Sequence, residues 1–166
     1  MTSVTLDRHR GHANTYDVVA LGYNYRMDEI HAALAREQLK KLQRNNSRRR
    51  RAAALYRDGL RNIPQITVPF GDKNFEDNNY HIFPVLLNPD VDRQALMTHL
   101  RQHGIQTSIH YPPIHQFTFY RRNMTTGNLP LTEHIGLYEL TLPMFSGIPD
   151  HHIEYVIDVL SSYLKP

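Results

Sequence analysis

Met27-Asp-Glu-Ile-His-Ala-Ala-Leu-Ala-Arg-Glu-Gln-Leu-Lys-Lys-Leu-Gln-Arg-Asn-Asn-Ser-Arg-Arg-Arg-Arg-Ala-Ala-Ala-Leu-Tyr-Arg-Asp-Gly-Leu60 is the stretch on which the fold turns. It holds no proline, its only glycine is Gly59, and strong helix formers crowd its first half. That composition predicts one long helix. Met27, Ile30, Leu34, Leu39, Leu42, Ala53, Tyr56 and Leu60 keep helical spacing with one slip, which allows a bend near Asn45-Asn46-Ser47.

Before the helix, residues 1–26 are polar, rich in histidine and punctuated by glycine, so an irregular lead-in is expected there. After it, Ile66-Thr-Val68 reads as a short strand, and residues 71–79 as a solvated turn region. Tyr80-His-Ile-Phe-Pro-Val-Leu-Leu87 is apolar on both alternating faces, like a strand covered on both sides, but Pro84 cannot donate to a ladder and argues for a sheet edge or a bulge. Asp92 can cap a helix that carries Leu96 and Leu100 inward and stops before Gly104. Ile105-Gln-Thr-Ser-Ile-His110 alternates as a strand should, and Pro112-Pro113 ends it.

Residues 114–136 are expected to form a loop able to act as a flap, Leu140-Thr-Leu-Pro-Met144 a third short strand, and Asp150 the cap of a last helix. Ile153, Val156, Ile157, Leu160 and Leu164 give that helix an apolar stripe. The reading is therefore α/β in the broad sense, an α+β layer arrangement of a long helix and a small antiparallel or mixed sheet with flanking helices.

At 166 residues the chain suits one packed domain or a piece of a larger one. The absence of cysteine excludes disulfides, thiolate metal sites and a cysteine nucleophile, and fits a cytoplasmic setting. No run approaches the roughly 18 to 20 apolar residues of a membrane span, and the first residues lack the apolar core of a signal peptide. Lysine and arginine exceed the acids by 19 to 16, a mild excess that permits nucleic acid or phosphate partners without requiring either, and nucleic acid is not the expected partner. Arg48 to Arg51 could suggest a phosphate patch, but four consecutive helical positions fan around most of the circumference at about 100° each and cannot all face one ligand.

His99 and His103 stand four apart and could share a metal, yet no glutamate base lies between them, and no metal is expected. No serine sits in a nucleophile elbow, and no glycine-rich phosphate loop exists. What remains is polar residues at strand ends and before a helix, where substrate groups commonly bind: Asn24 and Arg26, Tyr80 and His81, His110 and Tyr111.

Gly22-Tyr-Asn-Tyr-Arg-Met-Asp-Glu-Ile-His-Ala-Ala-Leu34, Asn79-Tyr-His-Ile-Phe83, Gly104-Ile-Gln-Thr-Ser-Ile-His-Tyr-Pro-Pro-Ile-His115 and Leu142-Pro-Met-Phe145 together resemble the DegT/DnrJ/StrS-type nucleotide-sugar aminotransferases, in order and spacing along almost the whole chain. The resemblance implies the aspartate aminotransferase type I fold. Residues 1–26 would be a remnant of the large cofactor-binding domain, 27–62 a connecting helix, and 63–166 the small C-terminal α+β domain. It also implies pyridoxal phosphate as cofactor, a nucleotide-linked keto sugar and an amino donor such as glutamate as substrates, and a homodimer.

The family's cofactor lysine, the acid partner of the pyridine nitrogen, the ring-stacking aromatic and a phosphate-binding Ser/Thr all match positions upstream of this sequence. The four lysines here, at 40, 41, 73 and 165, match none of them. Catalysis by the chain alone is therefore not expected, whether it is a truncated gene, a late start or a split frame. By resemblance, Asn24 would reach the cofactor phosphate of a neighbouring subunit with Arg26 beside it. His110 and Tyr111 would contact the sugar nucleotide, with Tyr80 and His81 as further candidates. The alternative is a non-enzymatic remnant that docks on a full-length aminotransferase.

Overall fold

The computed structural model describes residues 20–23, 25–70, 78–125 and 127–164. The chain divides into two compact units, residues 1–39 and 40–166. Within the first, helix α1 (Glu29–Leu60) begins. Asp28 caps it: Oδ1 accepts the backbone N–H of Ile30 at 3.0 Å and of His31 at 2.9 Å, while Oδ2 meets His31 Nδ1 at 2.5 Å. The His31 amide, then its ring, hold the Asp28 carboxyl below its ordinary value of 3.8.

The break that the slip in spacing allowed near Asn45-Asn46-Ser47 does not occur. α1 runs unbroken through Asn45 to Ser47, and the Ser47 hydroxyl donates to the Gln43 carbonyl one turn back, which lets a polar residue sit inside the helix. Of its apolar positions, only Ala53, Tyr56 and Leu60 are buried, with Ala52 beside them, whereas Ile30, Leu34, Leu39 and Leu42 are exposed.

The second unit is built on a three-stranded antiparallel sheet in the order β1 (Ile66–Thr67), β2 (Phe83–Leu87), β3 (Glu139–Leu142). Phe83 pairs with Leu142, Val85 with Leu140, and Ile66 with Leu87, so the period of two puts these six on one face. Onto that face pack Tyr56 and Leu60 of α1, Leu96 and Leu100 of α2 (Arg93–Gln102), and Ile153, Val156, Leu160 and Leu164 of the last helix, α5 (Asp150–Leu164). The rings of Tyr56 and Phe83 stack at 4.9 Å between centroids. Each fully buried Leu or Ile contributes about 1.5–3 kcal/mol.

Pro84 lies in the central strand, not at an edge. The sheet tolerates it because Asn88 N–H donates to Gln65 O at 2.9 Å, so the nitrogen of Pro84, an even number of residues away, faces the same side. There β1 has already ended with Thr67 opposite Leu86, and no donor is needed.

Asp92 caps α2 through the Ala95 amide at 3.0 Å. Gly104 closes it at φ 74°, with Ile105 N–H reaching back to Leu100 O at 2.9 Å, a Schellman closure. The expected strand at residues 105–110 is reduced to a single antiparallel bridge, Ser108 with Thr141. The expected loop at 114–136 instead carries a short 3-10 turn (Ile114–Gln116), α3 (Thr118–Asn123) and α4 (Pro130–Tyr138). Asp150 is the first residue of α5, and its carboxylate pairs with Arg51. Among the described residues no helix is long and apolar enough to cross a membrane.

Candidate functional site

The second face of the sheet carries the polar side chains of β3. Glu139 and Thr141 alternate with Leu140 and Leu142, so they project away from the core face, opposite Leu86 and Pro84. Both are nevertheless buried, at 3% and 5% exposure. Buried polar groups need partners, and these have them. Glu139 Oε2 accepts the His110 backbone N–H at 2.9 Å, Oε1 accepts the Thr141 hydroxyl, and Thr141 Oγ1 lies 2.9 Å from His110 Nδ1. Ser108 Oγ stands 3.3 Å from the same nitrogen.

The strand is anchored from behind. Arg93, at the start of α2, donates through one guanidinium nitrogen to the carbonyls of Gly136 and Glu139, both at 2.9 Å. This satisfies acceptors at the C-terminal end of α4, where the helix has no partners of its own. His115 Nε2 meets Glu133 Oε1 at 3.0 Å and ties the 3-10 turn to α4. Pro113 is buried against Gly136, where a side chain would come within 2.5 Å of the proline ring.

These supports hold one wall of an open cleft of about 310 Å³, lined by His81, Ser108, His110, Thr141, Met144 and Phe145, among others. Two residues singled out from sequence, His81 and His110, thus share one site. Tyr111 is next to it but 72% exposed, its ring edge-on to His110 at 4.7 Å. Tyr80 does not line the cleft. It packs half-buried against the core, with φ 43° and its amide donating to Asn78 Oδ1 at 2.9 Å. Arg26 is exposed in the first unit, and Asn24 lies outside the described residues.

Glu139, Thr141 and Ser108 were missed from sequence. The signal was faint but present: Glu-Leu-Thr-Leu puts an acid and a hydroxyl on one strand face. Glu139 becomes informative only once the fold brings it against His110.

The other candidates resolve differently. Arg51 pairs with Asp150, and Arg50 Nε reaches the Asn78 carbonyl at 3.4 Å, so two of the arginine run serve structural contacts. His103 Nδ1 lies 2.9 Å from the His99 carbonyl, and the ring of His99 stands 4.7 Å from that of Tyr163. No group of three His, Cys, Asp or Glu able to hold a metal occurs among the described residues. Lys40 and Lys41 are exposed on α1, and neither lines the cleft.

Comparison with known proteins adds the following. The sequence pattern of the DegT/DnrJ/EryC1/StrS aminotransferase family matches residues 2–161. An uncharacterized protein of Methanocaldococcus jannaschii is 30% identical over 155 residues, which is 90% of this chain and 39% of that protein. UDP-4-amino-4,6-dideoxy-N-acetyl-beta-L-altrosamine transaminase of Campylobacter jejuni is 30% identical over 151 residues, 90% of this chain and 40% of its own. Among solved structures, S. venezuelae DesV in complex with a ketimine intermediate is similar at a TM-score of 0.80 and 31% identity, over 99% of this chain and 44% of DesV. The chain thus spans about 40% of the length of the curated relatives it matches.

Proposed function

Because the chain belongs to the DegT/DnrJ/EryC1/StrS aminotransferase family, we propose that it is the C-terminal portion of a pyridoxal-phosphate-dependent aminotransferase acting on nucleotide-linked keto sugars in amino-sugar biosynthesis. The observation that carries this reading is the cleft in which His81 and His110 stand together beside Ser108 and Thr141. It offers hydroxyl and imidazole groups to a polar ligand, as recognition of a sugar requires. Similarity to a transaminase named for a UDP-linked sugar supports the same substrate class.

Pyridoxal phosphate, which this family depends on, supplies the reversible transfer of the amino group. In our reading its lysine comes from a polypeptide segment other than this one, and the amino donor is glutamate or a similar amino acid. This chain contributes substrate recognition through His81 and His110, with Tyr80 and Tyr111 flanking them. Asn24 and Arg26 are proposed to face the cofactor phosphate of a neighbouring subunit, in a cytoplasmic homodimer. Residues 1–26, 27–62 and 63–166 would then be large-domain remnant, connecting helix and small domain.

The test is to incubate the purified chain with pyridoxal phosphate, reduce with borohydride and map any adduct by mass. No stoichiometric adduct is expected on Lys40, Lys41, Lys73 or Lys165. Transamination of a UDP-linked keto sugar with glutamate is expected only after a lysine-bearing large domain of a family member is added. Transamination by the pure chain would overturn the division of labour.

A second reading, a non-enzymatic partner that docks on a full-length aminotransferase, is favoured by the many exposed apolar side chains of residues 111–137, Phe117, Phe119, Leu131 and Leu137 among them. It predicts a mixed complex on size-exclusion chromatography with no gain in transamination.

A further inference from the structure

We infer that Glu139 and Thr141 are positioning residues that hold His110 in one tautomer, with the ring proton on Nδ1 and Nε2 left as the acceptor offered to a ligand.

The inference follows from counting protons along the chain of contacts. Thr141 has one hydroxyl proton, and it donates that proton to Glu139 Oε1. The other oxygen of Glu139 accepts the His110 amide at 2.9 Å, so both oxygens of the side chain act as acceptors. Thr141 Oγ1 can then only accept from His110 Nδ1, 2.9 Å away, and Nδ1 must carry the hydrogen. Ser108 Oγ, at 3.3 Å, is a weaker second neighbour of the same nitrogen. Among the described residues, no hydrogen-bond partner stands at Nε2.

A neutral imidazole has one donor and one acceptor, and an orienting partner decides which is which. Here the donor is spent inside the protein. The nitrogen left for the cleft therefore takes a hydrogen-bond donor, such as a sugar hydroxyl or a base N–H. A phosphate oxygen, which only accepts, would need the imidazole to be protonated first. The anchoring of Glu139 by Arg93 at its carbonyl keeps this geometry fixed from the core side. The identity of the ligand rests on the function proposed above, while the tautomer does not.

The experiment uses the whole chain with ¹⁵N-labelled histidine, and long-range proton–nitrogen spectra recorded at a pH where the ring is neutral. His110 is expected to show a protonated Nδ1 and a bare Nε2. Thr141→Val should move it to the Nε2–H form that free imidazole side chains prefer, and Thr141→Ser should restore the original pattern. A Thr141 that merely packs would lower thermal stability without changing the tautomer. If Thr141→Val fails to fold, Glu139→Gln serves instead: its amide can donate to Thr141, freeing the hydroxyl to donate to Nδ1, and the tautomer should again reverse. A wild-type His110 that carries its proton on Nε2, or one that ignores these substitutions, overturns the inference and leaves the proposed function standing. The inferred tautomer, together with no binding of a UDP-sugar by the reconstituted assembly, would instead sink the function and leave the positioning intact.

Discussion

The Tyr56 hydroxyl sits under the sheet with no solvent access and donates to the Pro143 carbonyl at 3.0 Å. Burial raises its pKa well above the ordinary value of 10.0. The folded state therefore keeps this proton where the unfolded chain would release it, and stability is lost as pH rises past 10. Tyr56→Phe should remove that alkaline sensitivity and lower stability at neutral pH by about 1 kcal/mol, because Pro143 O loses its donor. Urea denaturation at pH 7 and pH 10.5 checks both parts. Two glycines give a contrast of the same kind. At Gly136 a new methyl would meet the ring of buried Pro113, which has no rotamer to yield, and Gly136→Ala should cost about 1–3 kcal/mol despite the better helix propensity of alanine. At Gly59 the obstacle is the flexible end of half-buried Ile157, so Gly59→Ala should stay within about 1 kcal/mol of wild type. His110 and His81 could be picked out in the sequence because they stand at the ends of runs that read as strands, although the run ending at His110 forms only the Ser108 bridge. Glu139 and Thr141 could not, since their meaning depends on a neighbour far away in the chain.

Elements with strong local signals were legible. Asp92, Leu96, Leu100 and Gly104 mark the start, the inner face and the stop of α2, and each acts as its chemistry suggests. The long helix was equally plain, and it runs without a break through Asn45 to Ser47. α3 and α4 escaped because, at 6 and 9 residues, they are too short for periodicity to show against the glycine and proline around them. The strand expected at 105–110 failed for a different reason: its alternation is real, but only Ser108 finds a partner strand. Asp28 allows an element-scale test. Its carboxyl, held low mainly by the His31 amide, stabilises the first turn of α1 above pH 3.8, and that contribution disappears as pH falls through the lowered value. The protection of the Ile30 and His31 amides against exchange, relative to a free peptide at the same pH, should therefore fall as pH drops through that lowered value, and in Asp28→Ala it should be low at every pH.

At the scale of the whole chain, the buried residues of the second unit gather into one core, while its residues 111–137 expose Tyr111, Ile114, Phe117, Phe119, Leu131 and Leu137. A surface of this kind promotes association, so the isolated chain should elute from size exclusion as concentration-dependent oligomers. Substituting Phe119 and Leu131 with Ser should shift it toward the monomer without lowering its melting temperature, as neither is buried. The layout that carries this surface is worth following one step further. The segment leaves the sheet at the Ser108 bridge and returns to it at Thr141, and its base is clasped by Glu139 on the His110 amide. Because closing a loop costs only slowly more as it lengthens, the part between the Pro113–Gly136 and His115–Glu133 contacts, residues 117–129, can change in length and content while the core stays as it is. Such a stretch can take insertions and exchanges that alter the exposed apolar surface and leave the cleft and the scaffold beneath it unaltered.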